Sequence, residues 1–330
     1  PENVVKFAEP NAISISNSLN ELIQNDDERI LIINNAYKWI KNSSWAKSFK
    51  GVEKFIKNEV KKSIENIEIS QTIFERYKKN KYIVKKVSGI ENCLVSVVIP
   101  TYNGGDLLIE CINKLLKQEV DFNYEILVID SSSNDSSIES IKTDQKISIY
   151  SICQEDFQHG RTRNLAVSLS RGEFVAFLTQ DAIPTNKFWL KNIVKPLITD
   201  QNTCAVFGNH IAHNNHSFLT KSSIKNFFDQ FKKPFKYRMD DDLTEYFSEI
   251  PSKRQFLHYY SDNNSCLRKS YWESFPYQDV DYGEDQMWAD WIIKCNKTKA
   301  FAHNATVYHS HDYSKDEEFE RCYTEAQYFL

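Results

Sequence analysis

The sequence has no apolar run approaching 18 residues, and its mean hydropathy is −0.53, so no membrane-spanning helix is expected. Glycine and proline are scarce, eight of each in 330 residues, which excludes a collagen repeat or a flexible Pro/Gly tract. The seven cysteines (93, 111, 153, 204, 266, 295 and 322) never form a C-x-x-C pair, so reduced thiols are expected rather than a zinc knuckle or redox dithiol. No G-x-G-x-x-G follows the first strand and no G-x-x-x-x-G-K-[ST] occurs, which removes the phosphate cradle of dinucleotide-dependent dehydrogenases and P-loop NTPases. The first twenty residues lack the basic-then-apolar pattern of a signal peptide, and a cytoplasmic location is expected.

What is present suits about two average domains with a large core, at 41% apolar, 13% aromatic and 26% charged residues. The net charge of −4 is unevenly spread: residues 38–90 carry 14 Lys/Arg against 5 Asp/Glu, leaving −13 for the rest. Residues 1–92 read as a helical region, because Phe55, Ile56, Val60, Ile64 and Ile67 recur at helical spacing with lysines between them. This region suits packing, homo-oligomer formation, or peripheral contact with anionic lipid at the inner face of the cell membrane. A pI near 6.1 and the absence of a recognition motif argue against a nucleic-acid partner.

From residue 93 the texture changes. Leu94–Pro100 is a β-branched run entering the polar loop Thr101-Tyr102-Asn103-Gly104-Gly105, and residues 106–118 have helical spacing. Glu125–Asp130 and Phe174–Leu178 are further strands, ending in Ser131-Ser132-Ser133-Asn134-Asp135 and Thr179-Gln180-Asp181. Alternating strands and helices predict an α/β fold with a mostly parallel sheet, whose ligands bind beyond the carboxyl ends of the strands. Asp130 at such an end suits acceptance of the ring N–H of uracil or thymine, or an Asx turn of its own loop. Pro100-Thr101-Tyr102-Asn103 offers backbone groups and a ring beside a base, or merely ends a strand. Gly283-Glu284-Asp285 precedes a helix with an apolar stripe of Trp288, Trp291, Ile292 and Cys295, so Asp285 is a helix cap or a reactive carboxylate.

These stretches, in order and spacing, resemble family-2 inverting glycosyltransferases of GT-A fold. The motifs are Val97-Val98-Ile99-Pro100-Thr101-Tyr102-Asn103, Ile129-Asp130-Ser131-Ser132-Ser133-Asn134-Asp135, Gly160-Arg161-Thr162-Arg163-Asn164 and Phe177-Leu178-Thr179-Gln180-Asp181-Ala182. Phe157-x-His159-Gly160, Gly283-Glu284-Asp285 and His309-Ser310-His311-x-Tyr313-Ser314 resemble the bacterial rhamnosyltransferase branch. The resemblance covers about residues 94–314. It implies a glycosyltransferase domain over 93–330, with a nucleotide-sugar half at about 93–215 and an acceptor half at about 216–330.

The resemblance also implies roles. Pro100, Thr101, Tyr102, Asn103, Asp130, Arg163, Asn164, Gln180 and Asp181 would bind the nucleotide sugar, with Arg163 and Asn164 matching the family's Arg-Asn pair beside the diphosphate. Asp181 stands at the last acidic position of the D-x-D motif, and would hold Mg²⁺ or Mn²⁺ with His309 and His311; Thr179 replaces the first acidic residue. Asp285 would be the catalytic base, with Glu284 positioning the acceptor. The implied reaction is hexosyl transfer, rhamnosyl from dTDP-L-rhamnose, to a hydroxyl of a bacterial surface glycan or its lipid-linked precursor. A UDP-sugar donor, or a nucleotide-binding scaffold without turnover, are the alternatives.

Overall fold

The computed structural model describes residues 17, 18, 21, 24–42, 83–85, 90–142, 144–231, 235–238, 246, 251–280 and 282–329. Contacts divide the chain into two compact units, residues 1–65 and 66–330. In the first, α1 (Asp26–Asn42) opens on Asp26, Asp27 and Glu28, acidic residues that favour a helix N-terminus. Most of the basic segment, including Phe55, Ile56, Val60, Ile64 and Ile67, lies outside the described residues, as does Asp240-Asp241-Asp242. No described helix is long and apolar enough to cross a membrane.

Among the described residues, ten strands of the second unit form one mixed sheet. They are β1 (Ile83–Lys85), β2 (Cys93–Thr101), β3 (Asn123–Asp130), β4 (Ile147–Ser151), β5 (Phe174–Leu178), β6 (Ile183–Pro184), β7 (Thr203–Ile211), β8 (Phe235–Tyr237), β9 (Asn264–Arg268) and β10 (Thr298–Tyr308). The order is β1-β4-β3-β2-β5-β9-β7-β10-β6, with β8 also on β10. Strands β4, β3, β2 and β5 are mutually parallel; β9 runs against both β5 and β7, and β7 is parallel to β10. Six strands therefore share one direction. Their carboxyl ends, near Thr101, Asp130, Ser151, Leu178, Ile211 and Tyr308, lie along one edge, where β9 begins. Ile83–Lys85 is a strand on the sheet's edge, within the stretch read as helical from its sequence.

Alternation explains the two faces. Val95, Val97 and Ile99 of β2 point into one core while Val98 points into the other, and Ile126/Val128 against Leu127/Ile129 repeat the pattern in β3. The first core is closed by α2 (Gly105–Leu116), through Leu108, Cys111, Ile112 and Leu115, and by α4 (Trp189–Thr199). The second is closed by α3 (His159–Leu169), α5 (Phe218–Phe228), α7 (Lys269–Ser274) and α8 (Glu284–Lys294), with α6 (Pro251–His258) contributing Phe256. α9 (Lys315–Phe329) follows β10. In α8 the buried face is Trp288, Ala289, Ile292 and Ile293; Trp291 stacks on Phe275 and Cys295, the cap beyond the helix, is exposed.

Candidate active site

Three loops at the carboxyl edge are tied together by side chains. Gln180 Oε1 accepts hydrogen bonds from Thr101 Oγ1 (2.6 Å) and Tyr102 N (2.9 Å), and its Nε2 donates to Tyr102 O. Asn103, held at φ 48°, accepts from Asn134 N, and its own N–H donates to Ser133 Oγ. Asp130, 4% exposed, accepts from Ser133 N (3.0 Å) and Ser151 Oγ (3.1 Å). That is the Asx-type bracing read as one option from the sequence. Carboxylate oxygens have further lone pairs, so bracing leaves acceptor capacity for a ring N–H. Tyr102 is exposed beside this loop cluster, and Pro100 stays within β2, opposite Ile129.

Asp181, after β5, meets the two histidines that follow β10. Its carboxylate oxygens lie 3.8 Å from His309 Nε2 and 3.4 Å from His311 Nε2, and one ligand atom from each of the three residues falls within 4.8 Å of the others. One hard oxygen and two imidazoles suit Mn²⁺ better than Mg²⁺. Burial, aided by the neighbouring His311, pulls the His309 imidazole down to about 4 despite Asp181. It is therefore neutral at physiological pH, the form that ligates metals.

More histidines gather here than the sequence reading singled out. His210 is buried on Phe228 with its ring 5.2 Å from His309, and His213 is hydrogen-bonded to the Asp181 backbone. Ser310 Oγ pairs with His216 Nδ1 at 2.7 Å and accepts from His213 N. The spacing His210-x-x-His213-x-x-His216 after a buried strand was the available signal.

Glu284 and Asp285 line a cleft of about 1250 Å³ together with His309 and His311, with Phe227, Phe256 and Tyr259 among its walls. Gly283, at φ 78°, caps α8 without a side chain, so Asp285 is not the cap. Its Oδ2 accepts from Asp262 N (3.1 Å) and its Oδ1 from Gln286 N (2.7 Å). Burial, then the like charges of Glu284 and Asp262, push the Asp285 carboxyl well above the usual carboxylate range.

Arg163, expected from the sequence beside the diphosphate, is held by carboxylates at the cleft wall. Helix α3 starts at His159, where Gln158 caps it by accepting from Arg161 N. Gly160 packs where a Cβ would lie 2.4 Å from Gln278 O, which allows this close approach. Arg163 is then buried, with Nη1 donating to Glu284 Oε1 (2.6 Å) and Nε 3.3 Å from Asp262 Oδ2. The carboxylates of Glu284 and Asp262 hold its guanidinium above its ordinary value against the opposing effect of burial. Glu284 is likewise ion-paired at the cleft edge. Asn164 is 0% exposed; its Nδ2 donates to Tyr277 O, and its Oδ1 accepts from Trp272 Nε1 and Tyr277 N. All of its polar atoms are engaged in the core, so it braces the 272–277 segment rather than reaching a donor. Arg161 pairs with Asp279 on the partly exposed side of α3.

Comparison with known proteins accounts for this arrangement. Residues 96–262 match the glycosyl transferase family 2 domain. Relatives include an O-antigen chain rhamnosyltransferase of Salmonella typhimurium, 32% identical over 231 residues (69% of each chain). Another, of Salmonella anatum, is 30% identical over 230 residues (68% of this chain, 69% of that one). Similar folds include a mannosyltransferase of Pyrobaculum calidifontis solved with GDP-Man and Mn²⁺ (TM-score 0.50, 15% identity, 78% of this chain and 68% of that one). A second is TarS residues 1–349 of S. aureus solved with UDP-GlcNAc (TM-score 0.50, 19% identity, 68% of this chain). The chain spans about 60% of that last structure. Since the family match runs from β2 to the residue that abuts Arg163, and the sheet edge beyond it gathers the remaining polar groups, the chain belongs to glycosyl transferase family 2 and is a glycosyltransferase of GT-A fold.

Proposed function

We propose that this glycosyltransferase inverts configuration in a single displacement, moving L-rhamnose from dTDP-L-rhamnose to a hydroxyl of a bacterial surface glycan or its lipid-linked precursor. The observation that carries the chemistry is that Asp285, His309 and His311 line one cleft. The donor assignment is supported by the relatives named O-antigen chain rhamnosyltransferases.

In this reading Asp285 accepts the proton of the acceptor hydroxyl while that oxygen bonds to the anomeric carbon. The bond from that carbon to the diphosphate oxygen breaks on the opposite face, and the nucleoside diphosphate leaves. Asp181, His309 and His311 fit a divalent cation, Mg²⁺ or Mn²⁺, which when bound would neutralise charge on the departing diphosphate. Tyr102, Asn103, Asp130 and the Gln180 clamp hold the base end of the donor. The reaction belongs on the cytoplasmic side, and the +9 segment of residues 38–90 supports attachment to an anionic inner leaflet, next to a lipid-linked acceptor.

A donor panel read by release of nucleoside diphosphate tests this. Turnover of dTDP-L-rhamnose is expected; turnover of UDP-sugars alone replaces the donor, and binding without turnover of any donor makes the protein a scaffold. Co-sedimentation with anionic and neutral vesicles at low and high salt tests the membrane contact. Salt-sensitive binding to anionic vesicles alone is expected, and equal, negligible binding throughout would sink it.

A further inference from the structure

Asp262 stands at the end of the loop leading into β9, only 1% exposed, and belongs to no role assigned above. It contacts the base and the arginine beside it. Its backbone N–H donates to Asp285 Oδ2, while its side chain lies 3.3 Å from Arg163 Nε and accepts from Ser265 Oγ at 2.6 Å. Arg163 in turn donates to Glu284, the residue before Asp285. Three carboxylates from α8 and the β9 loop thus surround one guanidinium from α3.

We infer that Asp262 is a positioning residue for the base: with Arg163 and Glu284 it fixes where the Asp285 carboxylate points and at what pH that carboxylate ionises. The inference rests on the reading of Asp285 as the base. One cation cannot balance three buried negative charges, and carboxylates this close disfavour each other's ionisation. The groups facing Asp285 are Glu284 from its own helix, Asp262 beside β9, Arg163 from α3 and the buried Tyr260. Asp262 and Glu284 are ion-paired to Arg163, whereas the Asp285 carboxylate, which lines the cleft beside Glu284, is held by the backbone N–H groups of Asp262 and Gln286. Asp285 is therefore the member of the set placed to gain and lose a proton, and the other two set how tightly it does so. Direction follows from Coulomb's law. Removing either neighbouring carboxylate lets Asp285 ionise at lower pH.

The test is a pH titration of the intact chain by difference infrared spectroscopy, with the carboxyl band of Asp285 isolated by subtracting the Asp285→Asn protein. Asp262→Asn is expected to move loss of that band to lower pH by about one pH unit, the scale of a neighbouring like charge. Glu284→Gln is expected to move it the same way. The Asn and Gln side chains keep an acceptor for Ser265 Oγ and Arg163 Nη1, so thermal melting checks that the fold is kept. Should Asp262→Asn fail to fold, Glu284→Gln carries the measurement. Folded variants whose Asp285 band titrates as in the parent protein overturn the inference. The base reading fails separately: normal turnover by Asp285→Asn removes it, whatever the infrared titrations give.

Discussion

The two charged groups of the site, around Asp181 and around Asp285, handle charge in opposite ways. At the Asp181 end, one carboxylate meets two imidazoles, one of them driven neutral by burial, so the group has room for an added cation. At the Asp285 end the cation is built in: Arg163 is buried among Glu284 and Asp262, and burial, then the surplus negative charge, makes Asp285 hard to ionise. In the proposed reaction, this difference would favour a leaving anion at one group and an attacking oxygen at the other.

The sharpest way to break the comparison is Asp285→Asn. It is expected to fold and bind donor while kcat falls about 10²- to 10⁴-fold, the range for losing a general base; near-parental turnover would return Asp285 to a structural role. Asp181→Ala attacks the other end. It should weaken metal-dependent donor binding by roughly 10- to 100-fold, comparable to disturbing a metal's ligand set, as measured by calorimetry with dTDP and Mn²⁺. A chelator should abolish wild-type turnover, with Mn²⁺ or Mg²⁺ restoring it; activity indifferent to chelation would mean that no cation is recruited.

Acidity separates the ends further. The Asp285 carboxyl is raised, so its ionised, proton-accepting form is populated only as pH climbs above the ordinary carboxylate range. kcat should rise with pH through a limb above that range. A limb near pH 4 would show Asp285 to be unperturbed.

Asn164→Ala tests the correction to the Arg-Asn pair. It leaves Trp272 Nε1 and Tyr277 N without their buried acceptor, and should cost about 2–3 kcal/mol of stability with donor affinity unchanged once folded; selective loss of donor binding would restore the nucleotide role. Gln180→Ala should have the smallest effect. Freed from its bonds to Thr101 and Tyr102, the donor loop loses preorganisation, and donor KM is expected to rise a few-fold with kcat little changed.

The split between what was legible and what was not follows the range of the interactions. Strands ending at Thr101, Asp130 and Leu178 were readable because a strand buried on both faces announces itself as a β-branched run followed by polar turn residues. Asp181, His309 and His311 could be grouped only through family resemblance, since more than a hundred positions separate the first from the other two.

The sequence by itself determined that strand ends carrying polar loops line one edge, and that Glu284 and Asp285 open a helix. Only the tertiary structure decided what the charged groups face. An arginine in a polar motif suits a diphosphate as well as a carboxylate, and choosing between them requires knowing that α3 begins at His159 and packs Gly160 closely enough to put Arg163 between Glu284 and Asp262. The same holds for Asn164, whose amide is engaged by Trp272 and Tyr277 from over a hundred residues away. Local patterns set backbone conformation because propensity acts within a turn or a strand; the partners of buried polar groups are set by packing, which no local pattern encodes.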